Sequence, residues 1–162
     1  MNLIIKKTDD YETAFKIAKQ LPDFFNKKGL EQIKKDTRSH ILFGAFLDDV
    51  LVAFVTYNSI NQFVVEMSWL AVSPDHQGKG IGTKLIEETL SQLGKTYKVC
   101  EVKTLAKTDL NEPYEKTRKF YEKLAFMPLD IIDPYPGWED NPCQIYIKFI
   151  EKMRTDDGKS GY

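Results

Sequence analysis

The sequence predicts a single α/β domain in which strands and helices alternate around one sheet, and three observations predict it. The chain has 162 residues, a length at which one core buries roughly 68–70% of the surface that the unfolded chain exposes. Its apolar residues switch repeatedly between a period of two and a helical period. The stretch FVVEMSWLAV at 63–72 carries bulky apolar side chains on both faces, which suits a strand near the middle of a sheet covered on both sides.

In chain order, residues 3–6 form a short opening strand. Asp9 and Glu12 then resemble a capping box, and Tyr11, Ala14, Phe15, Ala18 and Leu21 recur at helical spacing until Pro22. A weaker helix covers about 29–38. The run 41–57 reads as two strands joined at Asp48-Asp49 by a tight turn, and the central strand 63–72 follows a second turn. Beyond Ser73-Pro74-Asp75, a helix carries Ile81, Leu85, Ile86, Thr89, Leu90 and Leu93 on one stripe, with Gly94 as its stop signal. A strand at 97–104 comes next, and Asn111 with Pro113 starts a helix whose face holds Tyr114, Thr117, Phe120, Tyr121 and Leu124. Strands at 126–131 and 144–151 enclose a Pro, Gly and Trp loop. One domain over 1–151 and a flexible tail over 152–162 are expected.

Composition narrows the partners. Lysine plus arginine number 23 and aspartate plus glutamate 24, for a formal net charge of -1, so no global field draws the chain to nucleic acid or to an anionic membrane. No apolar run approaches the ~18 residues of a membrane span, and the N-terminus lacks a signal-peptide pattern, so a soluble cytoplasmic protein is expected. Cys100 and Cys143 form no CxxC motif and read as buried structural thiols, although Cys143 is expected in a loop facing the acceptor. His40 and His76 complete no ligand pattern, and no metal is expected.

The most informative stretch is Gln77-Gly78-Lys79-Gly80-Ile81-Gly82, which joins the central strand to the striped helix. Glycines let a ligand approach the backbone, and the first N–H groups of a helix have no intrahelical acceptor. Together they make an anion cradle, to which the helix dipole adds about 0.3–1 kcal/mol. A dinucleotide-binding GxGxxG pattern fails because Thr83 stands where its last glycine belongs. A Walker A loop fails because Gly82-Thr83-Lys84 replaces its Gly-Lys-Ser/Thr ending.

LAVSPDHQGKGIGTKLIEE resembles the acetyl-coenzyme A signature of the GCN5-related N-acetyltransferase (GNAT) superfamily, with Gln77, Gly80 and Gly82 in its fixed positions, and YEKTRKFYEKLAF at 114–126 is similar to the superfamily's second motif. The resemblance implies a mixed, strongly twisted central sheet with helices on both faces. It also implies acetyl-coenzyme A as cosubstrate and no metal. The strands at 63–72 and 97–104 would diverge, with pantetheine pairing to the backbone of Leu70, Ala71 and Val72 and the pyrophosphate meeting Gln77, Gly78, Lys79, Gly80, Ile81, Gly82 and Thr83. Ala125 stands where many relatives have glycine.

An amine of pKa about 10.4 costs about 4.6 kcal/mol to deprotonate at pH 7, so a proton acceptor is needed. Glu66 lies in the central strand on the phase opposite Met67 and Trp69 and points either to solvent, to a partner charge or into the cleft. The resemblance implies a base role for it, direct or through water. Tyr121 is either a packed core aromatic or, as the resemblance implies, the acid that protonates the leaving thiolate. A backbone N–H near Leu70 would stabilise the developing oxyanion. Phe24, Phe25, Tyr135, Trp138 and Asn141 are the candidates for binding a small-molecule or peptide amine. An active amine acetyltransferase is the expected function, and a catalytically weak acetyl-coenzyme A sensor or protein-interaction module is the alternative.

Overall fold

The computed structural model describes residues 2–108 and 113–152. Strand β1 (Leu3–Lys7) precedes helices α1 (Tyr11–Lys19) and α2 (Lys27–Ser39), and three strands follow: β2 (Ile41–Leu47), β3 (Val50–Ser59) and β4 (Val64–Val72). A 3-10 turn at Pro74–His76 leads into α3 (Ile81–Leu93) and β5 (Val99–Leu105). The described chain continues through α4 (Pro113–Lys123), β6 (Met127–Ile132) and β7 (Cys143–Phe149). Asn111 and the tail from residue 153 lie outside the described residues.

The strands form one mixed sheet in the order β1-β2-β3-β4-β5-β7-β6, parallel between β4 and β5 and antiparallel at its other junctions. Helices α1 and α2 cover one face, where Ala14, Ile17, Ala18 and Ile33 pack against Leu42, Leu51, Phe54 and Ala71. The larger core lies on the other face, where the α3 stripe, Tyr121 of α4 and Leu124 just past its end meet Val55, Tyr57, Val65, Met67, Cys100 and Val102. No helix among the described residues is long and apolar enough to cross a membrane.

Local chemistry sets the boundaries. The expected capping box at Asp9 is displaced by one residue: the Asp9 carbonyl accepts from Tyr11 N–H in a tight turn, and Asp10 becomes the cap, accepting from Thr13 N–H at 3.1 Å. Asn26 caps α2 through Gly29 N–H at 2.8 Å, so this helix begins before the expected residue 29. Asp48 and Asp49 have φ of 48° and 68° and close the two-residue hairpin between Leu47 and Val50, as the short polar side chains of aspartate allow. Gly94 ends α3 in ordinary right-handed geometry, and its role is space, since a Cβ there would lie 2.0 Å from the Ile150 carbonyl oxygen. Tyr97 N–H still bonds Leu93 O at 2.8 Å, which delays β5 from the expected residue 97 to Val99.

Two expectations about facing side chains are overturned. Thr56 pairs with Trp69 but Tyr57 pairs with Met67, so Ser68 is an extra residue bulged out of β4. A bulge reverses the alternation. Met67 therefore joins the α3 core while Trp69 turns to the α1–α2 side, the side of Glu66. Cys143 lies in a strand rather than a loop, opposite Leu105 at the start of β7, and is fully buried.

Candidate active site

The parallel ladder between β4 and β5 runs only from Val64–Val99 to Met67–Val102. Beyond that rung β4 continues to Val72 bonded to β3, with Leu70 opposite Val55, Ala71 opposite Phe54 and Val72 opposite Ala53. Over the same span β5 continues to Leu105 bonded to β7. The facing edges are therefore separated by a gap in the middle of the sheet, where an inserted chain with its own amides would restore pairing. Arg118 Nη1–H donates to the Leu105 carbonyl at 2.9 Å and fixes the β5 side of its mouth.

The β4 side of the mouth leads to the start of α3. Gly78 and Gly80 have φ of 73° and 77°, a left-handed backbone that L side chains avoid, and a Cβ at either position would meet nothing within 4 Å. Gly80 is the N-cap of α3 and supplies no side-chain hydrogen bond, and the first turn holds no acidic residue. This contrasts with α1 and α2, whose starts are closed by Asp10 and Asn26. The Lys84 N–H bonds back to Gly80 O at 3.0 Å, while the amides of the preceding turn keep the donor capacity that suits an anion. Lys79 is exposed and Ile81 buried, so Ile81 offers only its backbone N–H. Gln77 donates through Nε2 to the Val72 carbonyl at 3.0 Å and ties the loop to the strand end. The buried His76 Nδ1 has no hydrogen-bond partner among the described residues.

On the α1–α2 side of the gap, Glu66 Oε2 lies 2.7 Å from Lys103 Nζ, and Glu101 Oε1 lies 3.3 Å from the same nitrogen. Tyr135 completes this group, with its ring centroid 5.6 Å from Lys103 Nζ. Burial alone would lower the lysine pKa, but hydrogen bonds to Glu66 and Tyr135 and the charges of Glu66 and Glu101 outweigh it and hold Lys103 above the ordinary lysine range. Lys103, which lies in the strand expected at 97–104 and which no motif singled out, thus joins the candidate site. Strand alternation placed it with Glu101, but its pairing with Glu66 arises only from the parallel register.

Tyr121 projects from α4 on the opposite face of the sheet. It is 7% exposed and ringed by Phe120, Phe126 and Tyr146 at centroid distances of 5.6, 5.7 and 6.2 Å. Burial, with a smaller contribution from Cys100, raises its pKa and keeps the phenol protonated. Among the described residues no hydrogen bond is made by its hydroxyl. Its backbone is fixed by a Schellman motif: Phe126 N–H donates to Tyr121 O at 3.1 Å, Ala125 N–H donates to Glu122 O at 3.0 Å, and Ala125 sits between them with φ of 64°. Cys100, in the same core, is pushed up to about 12 by burial.

The expected acceptor residues divide. Phe25 packs edge-on against Trp69 at 5.9 Å, and Tyr135 lies at the Glu66–Lys103 pair. Phe24 packs instead against Tyr114 at 5.9 Å, and its carbonyl accepts from the Tyr114 hydroxyl at 3.3 Å. Trp138 stacks on Tyr135 at 4.9 Å, and Asn141 donates through Nδ2 to the Trp138 carbonyl at 2.9 Å, so both shape the β6–β7 loop. No group of three His, Cys, Asp or Glu residues suited to a metal ion occurs among the described residues.

A polar cluster that sequence reasoning missed lies beside the bulge. Ser68 Oγ is 2.9 Å from His40 Nδ1 and 2.8 Å from Thr56 Oγ1. His40 Nε2 lies 3.7 Å from Asp36 Oδ1, and Trp69 Nε1–H donates to Asp36 Oδ2 at 2.7 Å. Its members are 28 and 33 residues apart along the chain, so no local spacing announces them.

The model of the acetyltransferase (GNAT) family matches residues 7–126. No curated protein matches the chain. Among solved structures, an acetyltransferase of the GNAT family from Desulfovibrio desulfuricans superposes with a TM-score of 0.80 at 16% identity, covering 92% of this chain and 99% of that one. The ribosomal-protein-S18-alanine N-acetyltransferase from Escherichia coli gives 0.72 at 18% identity, covering 96% and 98%. A GNAT family acetyltransferase from Elizabethkingia anophelis, solved with acetyl-CoA bound, gives 0.70 at 18% identity, covering 91% and 98%. At these identities the likeness is one of fold.

Proposed function

The chain belongs to the acetyltransferase (GNAT) family, and from that premise we propose that it is an enzyme that transfers acetyl from acetyl-coenzyme A directly to an amine. The observation that carries the reading is the gap past the Met67–Val102 rung, continuous with the uncapped start of α3. The residues present fit the cosubstrate. The open edge from Leu70 to Val72 suits the amides of pantetheine, and the backbone from Gly78 to Thr83, held by Gln77, suits a pyrophosphate. Bound acetyl-coenzyme A supplies a thioester, an acyl group already activated for attack.

The chain's own groups do the rest. Glu66 and Glu101 face one region with two carboxylates and one lysine, a surplus of one negative charge that attracts an ammonium group. Glu66 takes the ammonium proton, directly or through water, once the acceptor replaces Lys103 as its partner. Tyr121, kept protonated by burial, gives its proton to sulfur. Phe25 and Tyr135 line the approach, and a small-molecule or peptide amine is the acceptor.

Release of free coenzyme A, measured across a chemically diverse amine panel with mass detection of the product, tests this reading. Amine-dependent release with an acetylated product supports it. The Glu66–Lys103 pair, which occupies the base, favours a second reading as an acetyl-coenzyme A sensor. Tight binding without turnover on any amine would select that one.

A further inference from the structure

An ammonium acceptor sheds two protons during acetylation, one before nitrogen attacks and one as the C–N bond forms. Glu66 accounts for the first in the acetyl-transfer reading, on which this inference rests. We propose that Ser68 and His40, backed by Asp36, form a relay that receives the second.

Ser68 is the first residue of β4 past the last rung to β5, and the bulge turns it toward the same side as Glu66. Its hydroxyl proton has two alternative acceptors, the Thr56 carbonyl at 3.3 Å and His40 Nδ1 at 2.9 Å, with Thr56 Oγ1 a further neighbour at 2.8 Å. His40, brought from the end of α2, is the nearer of the two acceptors. Asp36 is held in place by Trp69 at 2.7 Å and by Gln32 Nε2–H at 2.8 Å. Its Oδ1 faces His40 Nε2 at 3.7 Å, ion-pair range rather than hydrogen-bond range, with the two side chains 13% and 15% exposed. A carboxylate facing Nε2 favours the tautomer protonated there, which leaves the Nδ1 lone pair to the Ser68 hydroxyl. Thr56 O–H then donates to Ser68 Oγ, and the chain of donors runs in one direction toward the imidazole.

Nitrogen bonds to the carbonyl carbon, the C–S bond breaks with its electron pair on sulfur, and Tyr121 gives sulfur its hydroxyl proton. Ser68 Oγ takes the nitrogen proton as its own hydroxyl proton passes to His40 Nδ1, and the imidazolium faces Asp36. Water removes that proton from His40 and returns one to the Tyr121 phenolate. Ser68 is the group that touches the acceptor, and His40 and Asp36 act through it.

Three variants and one spectrum test the relay. His40→Gln and Ser68→Ala are expected to lose about 10²-fold in kcat, the low end of the usual contribution of general acid–base catalysis, with KM for acetyl-coenzyme A within about twofold of wild type. Added imidazole restores turnover to His40→Ala and not to Ser68→Ala, a rescue that a purely structural histidine would not show. In the ligand-free wild type, 15N spectra of neutral His40 show the proton on Nε2. Wild-type kcat in His40→Gln overturns the relay and leaves acetyl transfer standing. A wild type inactive on every amine overturns both. A proton on Nδ1 overturns the relay even where the variants fail to fold.

Discussion

Lys103 Nζ stands 2.7 Å from Glu66 Oε2, so the carboxylate best placed to receive an acceptor ammonium already holds a cation. The acceptor must compete with a tethered amine. Lys103→Met is therefore expected to lower the acceptor KM about tenfold, equivalent to about 1.4 kcal/mol. Glu66→Gln is expected to reduce kcat/KM about 10²-fold. Steady-state kinetics on one acceptor check both, and a raised KM in Lys103→Met would show that the lysine recruits the acceptor rather than competing with it.

The Tyr121 hydroxyl has no hydrogen bond to lose among the described residues, so Tyr121→Phe should leave thermal stability within about 1 kcal/mol of wild type. The same change should cut kcat about 10²-fold. A melting curve beside a turnover assay separates the two roles of the ring.

Gly80 has room for a Cβ but the wrong backbone for one. Gly80→Ala is expected to cost about 1–2 kcal/mol of left-handed strain and to weaken acetyl-coenzyme A binding as the turn relaxes. Lys79→Ala, which leaves that backbone intact, should weaken binding less. Calorimetric titration of both variants orders the effects.

Ala125 occupies the left-handed position of the Schellman motif. Ala125→Gly should stabilise the protein by about 0.5–1 kcal/mol, because relief of strain at this angle exceeds the entropy that glycine adds to the unfolded chain. Urea unfolding gives the sign directly.

How much of this was legible follows from how far each signal travels along the chain. Element order, the Asp48-Asp49 hairpin and the glycine turn are written in adjacent residues. The α1 cap moved from Asp9 to Asp10 because neighbouring carboxylates compete for one geometry that only the turn decides. The bulge at Ser68 depends on the register between β3 and β4, which no spacing within β4 encodes. Its consequences were hidden with it: the reversal of Trp69, the company of His40, and the face that Ser68 presents. Lys103 illustrates the same limit, since its alternation with Glu101 is readable and its meeting with Glu66 is a property of sheet pairing.

The buried Cys100 thiol titrates far above an ordinary cysteine, at about 12, because of burial. Its folded pKa is raised, so the stability tied to it is intact below the unfolded value near 8.5 and falls as pH climbs through the window up to about 12. Within that window this thiol contributes a decline of about 1.4 kcal/mol per pH unit. Cys100→Ala should flatten the alkaline slope by about that amount, as read from denaturant midpoints taken between pH 9 and 11.

Strands β1 to β4 are consecutive in the chain, and so are β5 to β7, with α3 as the span between the two sets. The sheet behaves as two leaves bound along a spine of four rungs. One core spans both leaves, with Val65 and Met67 on one and Cys100 and Val102 on the other, so packing as well as pairing joins the two banks of the slot.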